Sequence, residues 1–315
     1  MKFSEKVKLG LDETRMLILG AQILLGFQFS GAFQDGFESL PAHSRYLDTL
    51  ALGLMVCTVG LLIAPGPYHR IVEEGEDSGP FHRLVTLFAD LALLPFAMAL
   101  GLDLAVIAEQ IFGRLGAILA GCGTALLALI FWYAMPRLRT HSHGAREREQ
   151  TMRHQQQREH TPLDQKIDHM LTEARVILPG AQAMLGFQLA IVLTRAFEQL
   201  PSELRFLHAA SLGLVALAVI LLMAPASYHR IVYAGEDTPD MHRVGSLLVT
   251  AATLPLAGGI TGDVYVVITK IAGSEIGLAS AVLTVLLLFG LWYGLPLVAR
   301  WRGAGTAQYQ GSPAE

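Results

Sequence analysis

Residues 20–41 read GAQILLGFQFSGAFQDGFESLP, and residues 180–201 read GAQAMLGFQLAIVLTRAFEQLP. The match extends in both directions without a gap, so that 11–136 aligns with 171–296, with roughly two-fifths of the positions identical. Self-similarity of this length indicates a duplicated structural unit. The sequence therefore predicts two copies of one fold in tandem.

Each copy contains four long apolar runs. The chain is 52% hydrophobic and 16% charged, and the charged residues gather between the runs, which is typical of a polytopic membrane protein. The runs are apolar throughout and long enough to cross about 30 Å of hydrocarbon as helices, whereas strands of a barrel would alternate. We predict an all-α, polytopic membrane protein in which eight transmembrane helices form two tandem parallel four-helix repeats, with spans at 16–33, 47–64, 84–108, 116–135, 176–193, 207–224, 244–268 and 276–295.

Basic residues predict the orientation of these spans. They cluster before the first span, after the second and fourth spans, and after the eighth, so that both termini and the loops after spans two and six are expected to be cytoplasmic. Four spans per copy give both copies the same orientation, and their pseudo-twofold axis then lies along the membrane normal. We expect a pseudo-dimer within one chain.

The segments outside the repeats differ in composition. Residues 137–170 are rich in Arg, Gln, His and Glu and read as a charged cytoplasmic linker, and 297–315 read as a disordered C-terminal tail. The linker histidines have no recognised metal-site spacing, and the two cysteines lie inside predicted spans. We therefore predict no metal, cofactor or disulfide. The net charge of −4 argues against a nucleic-acid partner.

A polar segment after the second span recurs almost unchanged in both copies. Its proline, glycine and Ser78 or Thr238 can end one helix, turn the chain and cap the next helix. The acids and arginines can form a clasp that holds helices two and three, or the basic groups can bind a lipid headgroup or a cytoplasmic anion. This candidate loop site comprises His69, Arg70, Glu76, Asp77, His82, Arg83, His229, Arg230, Glu236, Asp237, His242 and Arg243.

Polar residues also occur inside the predicted spans. Gln22 shares one helical face with Arg15, Gly26 and Ser30, which predicts a packing seam or a polar path. Asp103 lies near the outer end of the third span, where a carboxylate indicates proton or cation binding unless the helix ends earlier. The candidate intramembrane site comprises Gln22, Gln28, Asp103, Gln182, Gln188 and Asp263.

These residues resemble a known family. The carrying motifs are Glu13-Thr14-Arg15, Gly20-Ala21-Gln22, Gly26-Phe27-Gln28, Phe37-Glu38, Leu40-Pro41, Tyr68-His69-Arg70, Gly75-Glu76-Asp77 and His82-Arg83. The sequence is similar to uncharacterised bacterial four-helix membrane proteins that are grouped as a domain of unknown function. The resemblance covers both copies and implies a multi-pass protein of the bacterial cytoplasmic membrane, without implying an activity.

Two functions follow from the residues. The first is a small-solute or ion transporter or channel-like protein that uses the intramembrane polar residues. The alternative is a non-catalytic membrane interaction protein that binds anionic lipid or another anion through the loops. No repeated nucleophile or metal triad supports an enzyme, and we predict no catalytic residue.

Overall fold

A computed structural model describes residues 3–76, 78–135 and 161–309, with side chains from Leu17 to Arg302 except at His82. The described residues form helices and turns without a strand, which confirms the all-α prediction. Two short π-helical turns, Ile130–Ala134 and Gly290–Gly294, interrupt the last helix of each repeat. The helices are α1 (Phe3–Gly31), α2 (Ala42–Ile63), α3 (Pro65–Ile71), α4 (Gly79–Leu129), α5 (Leu163–Val192), α6 (Arg195–Glu198), α7 (Ser202–Ile231), α8 (Pro239–Ala272), α9 (Ser274–Phe289) and α10 (Leu295–Tyr309).

Six helical segments among the described residues are long and apolar enough to cross a membrane. They confirm a multi-pass type of structure but differ from the eight predicted spans in two places. In place of the first predicted span there is a shorter apolar helix, Leu17–Gly31, which is not one of the six. The third and fourth predicted spans form one segment, Arg83–Ala134. The remaining segments are Ala42–Ile71, Leu163–Val192, Ser202–Ile231, Pro239–Ala272 and Ser274–Arg302.

The long helix α4 folds back on itself at Gly113. This glycine has φ 72°, which lies in the left-handed region, where a residue with a Cβ would be sterically strained. Its two arms then run antiparallel, since Gly101 approaches Gly121 and the ring of Phe96 stacks on Trp132 at 5.5 Å. In the second repeat, Gly273 has φ 91° at the matching position between α8 and α9. One repeated glycine thus makes the same hairpin in both repeats.

The two repeats share one hydrophobic core, which includes Phe29, Phe33, Met184 and Trp292. Their main contact is the packing of α1 against α5. Along this seam, Phe27 contacts Phe187 with ring centroids 4.4 Å apart, and Gln22 fills the space that a side chain at Gly180 would need. Small residues thus let the two helices approach closely. This agrees with the interpretation of the first-helix face as a packing seam between the copies.

Three boundaries differ from the sequence prediction. Helix α7 continues through Pro225 to Ile231, so His229 and Arg230 lie in a helix and not in a loop; nearby helices accommodate such prolines in apolar segments. Helix α5 begins at Leu163, inside the segment that the sequence assigns to the linker, while 137–160 lie outside the described residues. Helix α10 covers Leu295–Tyr309 and so extends into the segment that the sequence assigns to the tail.

The indole of Trp292 provides a test of the contact between repeats. Its Nε1 donates a hydrogen bond to the carbonyl of Gly60 at 2.9 Å, and the ring is fully buried. Trp292→Phe should lower the free energy of unfolding by about 1 kcal/mol, because it removes this bond. Trp132→Phe, at the half-buried matching position of the first repeat, is the control and should cost less. Equal losses of thermal midpoint in detergent for the two variants would contradict a stabilising hydrogen bond between Trp292 and Gly60.

Candidate functional site

The repeated polar segment has the same backbone in both copies. Glu74 and Gly75 have φ 51° and 80°, and the matching Ala234 and Gly235 have φ 52° and 83°. Ser78 Oγ accepts a hydrogen bond from the backbone N–H of Phe81 at 3.1 Å and so caps α4. Thr238 caps α8 in the same way through Met241, also at 3.1 Å. The turn and the caps agree with the sequence prediction.

In the first repeat, this segment is bound to the second repeat by a buried ion pair. The side chains of Arg70 and Glu173 are only 4% and 7% exposed, and an Arg70 Nη1–H donates to Glu173 Oε2. His69 Nδ1 lies 3.2 Å from the other Glu173 oxygen, and Arg70 Nε donates to Thr250 Oγ1 at 2.8 Å. The ring of His69 also stacks on Phe81, with centroids 4.3 Å apart. Arg70 therefore clasps two helices of the other repeat instead of pairing with the acids of its own segment.

Glu76 extends the contact between the repeats. Its carboxylate accepts hydrogen bonds from Lys166 Nζ at 2.5 Å and from the backbone N–H of Thr161 at 2.8 Å. Partial burial raises the pKa of Glu76, but these hydrogen bonds and the Lys166 charge outweigh it, so that the pKa lies below its ordinary value. Beside it, His242 packs against Gly75, where a Cβ would collide with the imidazole.

The matching segment of the second repeat is more exposed. His229 Nε2 lies 3.3 Å from Asp237 Oδ1 within the same segment, while Arg230, Glu236 and Arg243 are exposed. Arg83 of the first repeat is exposed as well. Asp77 and the side chain of His82 lie outside the described residues. The two copies of one motif thus have different surroundings.

The structure brings Gln28 and Asp103 of the first repeat together. Gln28 Nε2 lies 3.1 Å from each oxygen of the Asp103 carboxylate. Asp48 on α2 is close enough to interact electrostatically with Asp103. Two buried acceptors, Gln28 Oε1 and Asp48 Oδ2, have no hydrogen-bond partner among the described residues. The first repeat therefore holds two neighbouring carboxylates, of which Asp48 has one buried oxygen without a donor among the described residues.

The second repeat has the same cluster with one exchange. Gln188 Nε2 donates to Asp263 Oδ2 at 2.5 Å, and His208 occupies the position that matches Asp48. His208 Nδ1 lies 3.1 Å from Asp263 Oδ1, and its Nε2 lies 3.1 Å from the carbonyl oxygen of Gln188. A carbonyl only accepts, so Nε2 carries a hydrogen, and the contact with Asp263 then requires a second proton on one of the two groups. The pair is therefore neutral as a whole.

The remaining predicted residues do not join these clusters. Gln22 is fully buried at the seam, and neither polar atom of its amide has a hydrogen-bond partner among the described residues. Gln182, its repeat partner, is exposed. Asp48 and His208 were missed by sequence reasoning, because comparison of the repeats by identity hides positions that differ. Their polarity near the start of an apolar run was the available signal.

Comparison with protein families agrees with the duplication. The model of a family of unknown function (DUF6328) matches the chain twice, at residues 6–136 and 156–296. The chain belongs to this family. This family has no assigned activity, so the function of the site follows only from the chemistry of its residues. No curated protein and no solved structure matches the chain.

The clasp can be tested with a control from the other repeat. Arg70→Gln should lower the free energy of unfolding by about 3 to 5 kcal/mol, because it leaves Glu173 buried without its cation. Arg230→Gln changes the exposed counterpart and should cost less than about 1 kcal/mol. Both are measured as thermal midpoints in detergent, before and after delipidation. A loss for Arg70→Gln that appears only with anionic lipid would show that this arginine binds headgroups instead.

Proposed function

We propose that this protein transports protons or small cations, alone or coupled to a small solute, and that Asp48 and Asp103 of the first repeat carry the ion. The observation that carries the proposal is the contrast between the two polar clusters. Where the first repeat has Asp48, the second has His208, which shares a proton with Asp263. The first repeat lacks that internal partner.

Electrostatics favour an exchangeable ion at the first cluster. Two carboxylates in a medium of low dielectric constant repel each other, and a proton or a cation between them relieves the repulsion. Asp48 and Asp103 are half-buried, whereas His208 and Asp263 are each 1% exposed. The first cluster therefore suits binding and release, and the second suits a permanent structural bond.

The proposed topology places this cluster toward one membrane surface. We treat α1 as a span and the two arms of α4 as separate spans, which gives eight crossings and the same orientation for both repeats. The abundance of basic residues at the other end supports cytoplasmic termini, in the cytoplasmic membrane of a bacterium. Gln28, Asp48 and Asp103 then lie near the outer surface.

A second candidate function is recognition of anionic lipid or another anion at the cytoplasmic face. The exposure of Arg83, Arg230 and Arg243 favours it, because such arginines can make bidentate contacts with phosphate. Arg70 is excluded from this role by its pairing with Glu173. Anion binding by the exposed arginines would not explain the two polar clusters in the predicted spans, so transport remains the primary proposal.

Ion flux in liposomes tests the primary proposal. We expect proteoliposomes to move H⁺, Na⁺ or K⁺ faster than empty vesicles, as read by an internal pH dye and by ion-selective electrodes. Asp103→Asn should reduce the flux by about 100-fold, the lower end of the effect of a positioned proton-transfer group. Asp90→Asn is the control, since Asp90 is exposed on the same helix and should retain normal flux. Wild-type vesicles without flux of any of these ions would refute ion transport. Full flux in the Asp103→Asn variant would refute the assigned role of Asp103.

Exchanging the differing residue of the clusters gives a sharper test. Asp48→His should give the first repeat the closed arrangement of the second. We expect it to abolish flux and to raise the free energy of unfolding by about 1.5 kcal/mol through a charge-assisted hydrogen bond to Asp103. The reciprocal His208→Asp should lower stability, because it places two carboxylates in a fully buried site. Full flux in Asp48→His would contradict the assigned role of Asp48.

A further inference from the structure

A groove of about 500 Å³ lies on the first repeat, between α2 and the two arms of α4. Most of its wall is aliphatic, and it opens to the surroundings. Its polar side chains, His43, Glu109 and Arg114, all lie toward the hairpin turn of α4. The groove thus has an apolar body and a charged mouth, the shape and polarity of an amphiphile site.

Charges at the mouth favour an anionic headgroup. Both carboxylate oxygens of Glu109 already accept hydrogen bonds, from His43 at 2.7 Å and from Ser44 at 2.5 Å. Arg114 is exposed and is close enough to Glu109 to interact with it electrostatically, but it makes no hydrogen bond to that carboxylate, whose oxygens are held by His43 and Ser44. A phosphate can accept bidentate hydrogen bonds from an exposed guanidinium at a membrane surface.

The length of the groove matches one leaflet. Its walls extend from Glu109 to Met98 on one arm and from Arg114 to Ala125 on the other. At 1.5 Å per residue each wall is about 16 Å long, roughly half of the 30 Å hydrocarbon core. An acyl chain whose headgroup lies at Arg114 would follow the groove toward the middle of the bilayer.

The second repeat has larger side chains along the matching wall and no basic residue at the position of Arg114. Tyr265 replaces Ala105 and packs against the core, and Val285 replaces Ala125. Thr269 and Ser274 stand where the first repeat has Glu109 and Arg114. Two repeats of one ancestry thus differ in the features that a lipid would need.

We propose that this groove binds one anionic phospholipid from the leaflet at the hairpin end, with its phosphate at Arg114 and an acyl chain along the aliphatic wall. This site is separate from the loop arginines and from the carboxylate cluster. It depends on neither ion flux nor the cytoplasmic motif. A transport-inactive protein would still bind the lipid.

Native mass spectrometry with added phosphatidylglycerol or phosphatidylcholine tests the site. The wild-type protein in mild detergent should retain one phosphatidylglycerol in preference to phosphatidylcholine. Ala105→Tyr introduces the residue of the second repeat and should abolish retention. Ala279→Tyr makes the same change at an exposed position of α9 and should retain the lipid like the wild type. Arg114→Gln should reduce the preference for phosphatidylglycerol by about fivefold, and Arg114→Lys should restore part of it.

Folding of each variant is checked by gel filtration and thermal midpoint. If Ala105→Tyr does not fold, Cys122→Phe fills the groove from the opposite arm, because Cys122 is exposed in its wall. Equal lipid retention in the wild type, the groove-filling variants and Ala279→Tyr would show surrounding lipid only and would overturn the proposal. Retention without headgroup preference would overturn the assignment of Arg114.

Discussion

The buried ion pair between Arg70 and Glu173 fixes one end of the molecule. Neither charge reaches water, so each depends on the other, and removal of either partner leaves a charge in an apolar interior. Because Arg70 lies in the last turn of α3 of the first repeat and Glu173 belongs to α5 of the second, the pair also sets how the repeats meet. The hydrogen bond to Thr250 and the contact of Glu76 with Lys166 extend the same interface around it.

Duplication within one chain allows the two halves to diverge. In a homodimer a change appears in both subunits, whereas here Asp48 and His208 occupy matching positions with different chemistry. The same holds for Arg70, which is buried, and Arg230, which is exposed. One repeat therefore keeps the buried pair of His208 and Asp263 while the other has two carboxylates, Asp48 and Asp103. The fold remains common because apolar core positions and hairpin glycines are shared.

Local structure could be predicted from the sequence, and contacts between the repeats could not. Gly75 and the Ser78 cap follow from backbone chemistry within a few residues, and apolar runs predict helices. Glu173 precedes the fifth predicted span, and nothing local indicates that it pairs with Arg70, about a hundred residues away. Pro225 predicted a helix end, but neighbouring helices override that preference. Gln28 and Asp103 were predicted as members of one site, and their hydrogen bond needed the packing of α1 on α4.

The positions of the clasp and of the carboxylate cluster constrain how transport could operate. They lie at opposite ends of the bundle, and α5 connects the ends, since it carries both Glu173 and Gln188. Rocking of one repeat against the other would have to break the buried ion pair or turn about it. Breaking it is costly in a low dielectric, so the clasp is the natural pivot. A rotation about that end displaces the far end most, and the far end is where Asp48 and Asp103 lie.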